Sequence, residues 1–143
     1  MATIIETYSG GLRVECEHTQ SGTKIITDAP TDNNGKGEAF SPTDLCCAAL
    51  GACAMTIIGI WAEKRDVDVR GTRVEVNKTM AADPRRIGKI EVVFKMPARN
   101  YSDKEKIMME KAARSCPVHL SLGADVEQVF TFIWQDSRGD QPY

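Results

Sequence analysis

Apolar, β-branched and polar residues alternate or cluster over residues 3–8, 12–17 and 24–27, and Ser9-Gly10-Gly11 and Gln20-Ser21-Gly22 separate these stretches. Short runs of this kind bounded by glycine turns predict a meander of three strands. Residues 32–37, Asp-Asn-Asn-Gly-Lys-Gly, follow as a polar, glycine-rich loop. The pattern then changes: residues 45–62 carry no charge. Ser41 offers an N-cap and Pro42 a first helical position, where its missing N–H costs nothing, so a helix is expected from there to about residue 64. A membrane span needs about 20 strongly apolar residues. This segment is instead rich in Ala, Gly, Cys and Thr, which suits a core helix packed closely against another surface.

Period-two alternation returns over residues 70–79 and 87–96, with Val74 and Val76 on one run and Ile90, Val92 and Phe94 on the other. The Asp83-Pro84-Arg85-Arg86 turn should join them as an antiparallel pair. Ser102 and Glu105 form the capping-box pattern of a helix reaching about residue 114. Pro117 then opens a short helix with Cys116 as N-cap and Gly123 as its stop, and residues 126–134 read as a final strand. The order βββ-α-ββ-α-α-β is an α+β arrangement with antiparallel sheets, without internal repeats, in one domain over residues 1–143.

A net charge of −2, with no basic stripe interleaved with aromatics, argues against nucleic acid and anionic membrane as partners. The N-terminal residues lack the basic and apolar regions of a signal peptide, so a cytoplasmic location is expected. There the five cysteines should start as free thiols, since their number and spacing do not suit a secreted disulfide framework.

Two of the cysteines have distinct settings. On an ideal helix Cys46 and Cys53 share a face about 10 Å apart along the axis, beyond the roughly 7 Å between Cα atoms that a disulfide allows. Neighbours such as Cys46 and Cys47 point about 100° apart. A partner for Cys53 must come from another segment, with Cys116 or Cys16 as candidates. As an N-cap, Cys116 would sit beside free backbone N–H groups that favour its thiolate. Cys53, deep inside its helix, needs a cation from elsewhere, for which Arg13 is a candidate donor. Cys16, Cys46 and Cys47 are most simply small core residues. Cys116 and His119 have a ligand-like spacing, but without a Cys-x-x-Cys pair no metal is expected, and no cofactor motif is read. His18 and His119 are read as surface or supporting residues, and Glu15, Glu17 and Asp28 as solvated strand positions.

The run Ser41-Pro-Thr-Asp-Leu-Cys-Cys-Ala-Ala-Leu-Gly-Ala-Cys53 followed far downstream by Ser115-Cys116-Pro117-Val118 resembles the OsmC/Ohr family. The early Gly10-Gly11-x-Arg13 and the Asp28-Ala29-Pro30 loop agree with it, and the likeness covers nearly the whole chain. It implies an intertwined homodimer with long helices packed centrally, acting as a thiol-dependent peroxidase. Cys53 would attack a hydroperoxide substrate and become a sulfenic acid, Cys116 would resolve it as a disulfide, and an external dithiol would reduce that bond. The family's arginine, matched here by Arg13, lowers the thiolate pKa and is held by a glutamate. This chain has Thr43 at the glutamate position, which leaves the adjacent Asp44 as the carboxylate to take over. The departure also points to an alternative, a non-peroxidatic OsmC-like stress protein that binds another small molecule.

Overall fold

The computed structural model describes residues 1–135. Its elements are β1 (Ile4–Gly10), β2 (Arg13–His18), β3 (Lys24–Asp28), α1 (Pro42–Glu63), β4 (Arg73–Ala81), β5 (Arg86–Lys95), α2 (Asp103–Ala113), α3 (Pro117–Ser121) and β6 (Glu127–Ile133). Each predicted element is present and in the predicted order. Two compact units result, and the division falls after Cys46.

The first unit carries an antiparallel sheet in the order β1-β2-β3. In its register Arg13 lies opposite Asp28, and Cys16 sits between Glu6 and Ile25. The glycine-rich loop is pinned to the chain that precedes it: Asn33 and Gly35 N–H both donate to the Pro30 carbonyl at 2.9 Å, and a Cβ at Gly35 would overlap the Ala29 carbonyl. Little apolar surface in this unit is covered. Ile4, Ile5, Tyr8, Ile25, Ile26 and Phe40 all remain exposed.

The second unit carries the sheet β4-β5-β6, and here the all-antiparallel expectation fails. β4 and β5 form the expected antiparallel hairpin, but β6 runs parallel to β5. A parallel neighbour needs a crossover rather than a tight turn, and α2 with α3 supplies it. Alternation on β5 places Ile90, Val92 and Phe94 on one fully buried face, beside Val74 and Val76 of β4 and Phe130 and Phe132 of β6. Onto that face α1 lays Cys47, Leu50, Ala54 and Ile58, and α2 adds Met109 and Ala113. Gly51 lets the helix come close, because a Cβ there would lie 2.9 Å from Cγ2 of Val76.

The core-helix expectation for α1 therefore holds on one side only. Ala49, Ala52, Thr56 and Ile60 on the opposite side face solvent. An α-helix buries one stripe per packing surface, and an uncharged helix with one sheet beneath it has apolar surface left over.

Candidate functional site

Cys116 occupies the N-cap of α3 as predicted, with Pro117 in the first turn. Its Sγ accepts a hydrogen bond from the His119 N–H at 3.3 Å, and the side chain is completely buried. The position of this turn follows from its neighbours. α2 starts with the full Ser102–Glu105 capping box and ends in the core at Ala113, which delivers residues 114–116 to the α1 side of the sheet. Beyond the cap, His119 Nδ1 pairs with Gln128 Oε1 at 2.7 Å and its ring lies 5.2 Å from that of Phe130.

Cys53, half-buried in the middle of α1, packs against the same core cluster that contains Cys116, and the two thiols interact electrostatically. Two thiols on separate elements, far apart in sequence, thus share one core inside the second unit. All five cysteines are free thiols. Cys47 is part of the core, and Cys16 is engaged elsewhere, its thiol donating to Glu6 Oε2 at 3.0 Å across the β1–β2 pair.

The expectation that Cys116 would favour its thiolate is reversed. Burial pushes the thiol up from its ordinary value, and the adjacent Cys53 thiol acts in the same direction. The N–H groups of His119 and Val118 pull it down, but by less. A local cap supplies one or two dipoles, whereas removal from water penalises the whole charge.

In the first unit Arg13 forms a two-pronged ion pair with Asp28, Nε to Oδ1 at 2.7 Å and an Nη to Oδ2 at 2.9 Å, and reaches Glu38 Oε1 at 3.4 Å. The carboxylates that hold this arginine are therefore Asp28 and Glu38. Asp44 has a different role: its Oδ2 accepts from the Ser41 N–H at 3.1 Å while the Ser41 Oγ accepts from the Asp44 N–H at 3.0 Å. An aspartate at the third helical position closes a reciprocal cap on α1, which fixes the carboxylate where the helix starts. Thr43 joins that cap through a 3.2 Å contact between its Oγ1 and Ser41 Oγ.

Asp28 also departs from the reading as a solvated position, for it is 1% exposed. A signal for this was present in the sequence. A turn centred near Gln20-Ser21 pairs each residue of β2 with the one whose number completes 41, so Arg13 meets Asp28. Glu38, in the loop after the pinned glycines, carried no such signal.

Arg13 holds the Asp28 carboxyl below its ordinary value, with the Glu38 N–H assisting. The stabilisation from this pair is complete above the unfolded carboxyl value of about 4 and disappears as pH falls through the lower folded value. In urea unfolding, Asp28→Asn should be less stable than the parent at pH ~7, and the gap should narrow steadily below pH ~4. A gap that stays constant down to pH ~2 would contradict the pairing.

No curated protein sequence matches the chain. The profile of the OsmC-like protein family matches residues 35–129, a span that includes both Cys53 and Cys116. Among solved structures, a Psychrobacter arcticus protein provisionally named for osmotic stress induction and a detoxification response is 44% identical, with 93% of this chain and 96% of that one covered and a TM-score of 0.89. An organic hydroperoxide resistance protein OsmC from Legionella pneumophila is 19% identical over 92% of this chain and 97% of that one, with a TM-score of 0.71. An OsmC-like protein from Mycoplasma pneumoniae reaches a TM-score of 0.77 at 14% identity, with 92% and 95% covered, and these last two likenesses are of fold. With the profile spanning well over half its length and this α+β fold behind it, the chain belongs to the OsmC-like family.

Proposed function

We propose that this protein is a thiol-dependent peroxidase that reduces organic hydroperoxides. The observation that carries the reading is that Cys53 and Cys116, from distant segments, are packed into one core and interact. In the first step the Cys53 thiolate attacks the distal peroxide oxygen, the O–O bond breaks, and a sulfenic acid and an alcohol form. In the second, Cys116 attacks the sulfenic sulfur and expels water, which leaves a Cys53–Cys116 disulfide. An external dithiol reduces that bond by two exchanges and leaves as its own disulfide. A neutral buried thiol suits the resolving role of Cys116, because it waits until the neighbouring sulfur is oxidised. Within the first unit Asp28 and Glu38 hold the Arg13 guanidinium in place.

A groove of about 460 Å³ between α1 and α2 could take a peroxide with an apolar chain and an anionic end. Ile57, Ile60, Trp61 and Met108 line it together with the cations Lys64, Arg65 and Lys111, and Ile57 lies one turn beyond Cys53 on α1. Solved relatives of the same fold are named for organic hydroperoxide resistance.

The working unit is assigned as a homodimer in a reducing, cytoplasmic setting. A three-stranded sheet whose large apolar side chains face solvent needs a further surface to be stable, and α1 presents an uncharged stripe of its own. The test takes the reduced full chain, cumene hydroperoxide and dithiothreitol. Peroxide consumption, a Cys53–Cys116 bridge in peptide mapping, and a sedimenting mass twice 15.7 kDa are expected. Absence of both consumption and bridge would end the peroxidase reading, and a monomeric mass the dimer assignment.

A further inference from the structure

We propose that Gln128 is a positioning residue for Cys116, holding the short turn beneath its sulfur by gripping His119 at two points. The inference rests on the resolving role assigned to Cys116 above. α3 has only five residues, too few for a helix to hold its own shape, and the chain turns extended again at Leu122. Val118 and Leu122 pack it on the core, and the side chain of residue 128 ties it to the sheet by hydrogen bonds. Its Oε1 pairs with His119 Nδ1 at 2.7 Å, and its Nε2 donates to the His119 carbonyl at 3.2 Å. Because Oε1 only accepts, this pairing requires the proton on Nδ1. The main-chain N–H of the same histidine donates to Cys116 Sγ.

One residue thus joins the sheet to the thiol. Gln128 sits on β6 opposite the fully buried Ile90 of β5, so the grip is anchored in the sheet. Formation of a disulfide demands a sulfur–sulfur distance near 2.05 Å and a dihedral near ±90°, so the resolving step is sensitive to small displacements of the turn. Attack of Cys53 on peroxide makes no such demand on Cys116. Loosening the grip should therefore slow the second step and spare the first. A displacement of about 1 Å can cost on the order of a hundredfold, and a side-chain grip of this kind should be worth about tenfold or more.

The experiment compares the full-length parent with Gln128→Leu, His119→Ala, the double variant and Gln128→Glu, each in a single turnover with one equivalent of cumene hydroperoxide. Peroxide consumption should stay within about twofold of the parent, whereas bridging of Cys53 to Cys116 slows about tenfold in Gln128→Leu and His119→Ala, and dimedone traps the persisting Cys53 sulfenic acid. If the two residues act as one unit, the double variant is no slower than the slower single. Gln128→Glu retains an acceptor for Nδ1 and loses the donor to the carbonyl, so it should fall between parent and Gln128→Leu. It also serves if Gln128→Leu fails to fold. Parallel slowing of both steps, or bridging at the parental rate, would overturn the proposal.

Diamide separates this inference from the reading beneath it, since it takes two electrons and two protons from the thiol pair without any peroxide. Slower diamide bridging in the variants, in a parent that consumes no peroxide, would keep the positioning role and remove the peroxidase. Equal diamide bridging rates in parent and variants would remove the positioning role.

Discussion

Cys53→Ser is expected to abolish peroxide consumption, lowering the rate by roughly a thousandfold or more, because a serine hydroxyl at neutral pH offers no nucleophile comparable with a thiolate. Substitution at Cys116 should give a different result. Cys116→Ser retains the first attack, so one equivalent of peroxide is consumed and a sulfenic acid remains on Cys53, where dimedone labels it. No intramolecular disulfide can follow. The contrast between the two variants is more telling than either alone, since loss of a merely structural thiol at position 53 would not leave the Cys116 variant stalled after one turnover. Full activity of Cys53→Ser with dithiothreitol would refute the assignment. Peroxide consumption by a coupled assay and intact-mass spectrometry of the stalled species provide the measurements.

Phe94→Ala should cost about 3–5 kcal/mol of unfolding free energy, the range for removing a large aromatic side chain from a packed core. Phe94 is fully buried, its ring stacked on that of Phe132 at 4.5 Å and edge-on to that of Phe130 at 5.9 Å. It lies on β5 between antiparallel β4 and parallel β6, so its loss opens a void at the centre of the sheet's helix-covered face. The sheet's backbone hydrogen bonds limit collapse into that void. Urea unfolding of parent and variant checks the value, and a difference below about 1 kcal/mol would mean that the face reorganises around the gap.

Features governed by nearby residues were legible in the sequence. Period-two alternation located the hairpin that carries Ile90, Val92 and Phe94. The caps were equally plain, at Ser102 with Glu105 and at Cys116, because a cap is a contract among residues three apart. The features that escaped depend on distant chain. β6 has the same alternation whichever way it runs, and its direction is set by the length and course of the α2–α3 crossover. Asp28 is the residue a polar strand end would expose, yet register puts a guanidinium across from it. Proximity in sequence suggested Asp44 for Arg13, but the start of α1 had already claimed that carboxylate. For Cys116 the local dipoles were visible and the depth of burial was not, so the direction of its titration came out opposite.

In the proposed cycle the difference in depth between the two sulfurs would impose a direction on the reductive half. A thiolate arriving from another molecule must approach one sulfur of the bridge along the axis of the bond, and Cys116 offers it no surface at all. The half-buried Cys53 would be the one struck. The mixed disulfide would then form on Cys53, and Cys116 would depart as the leaving group, received by the His119 N–H that already donates to its sulfur. On that proposal the sulfur that meets the oxidant would also be the one that meets the reductant, and Cys116 would exchange electrons only with Cys53.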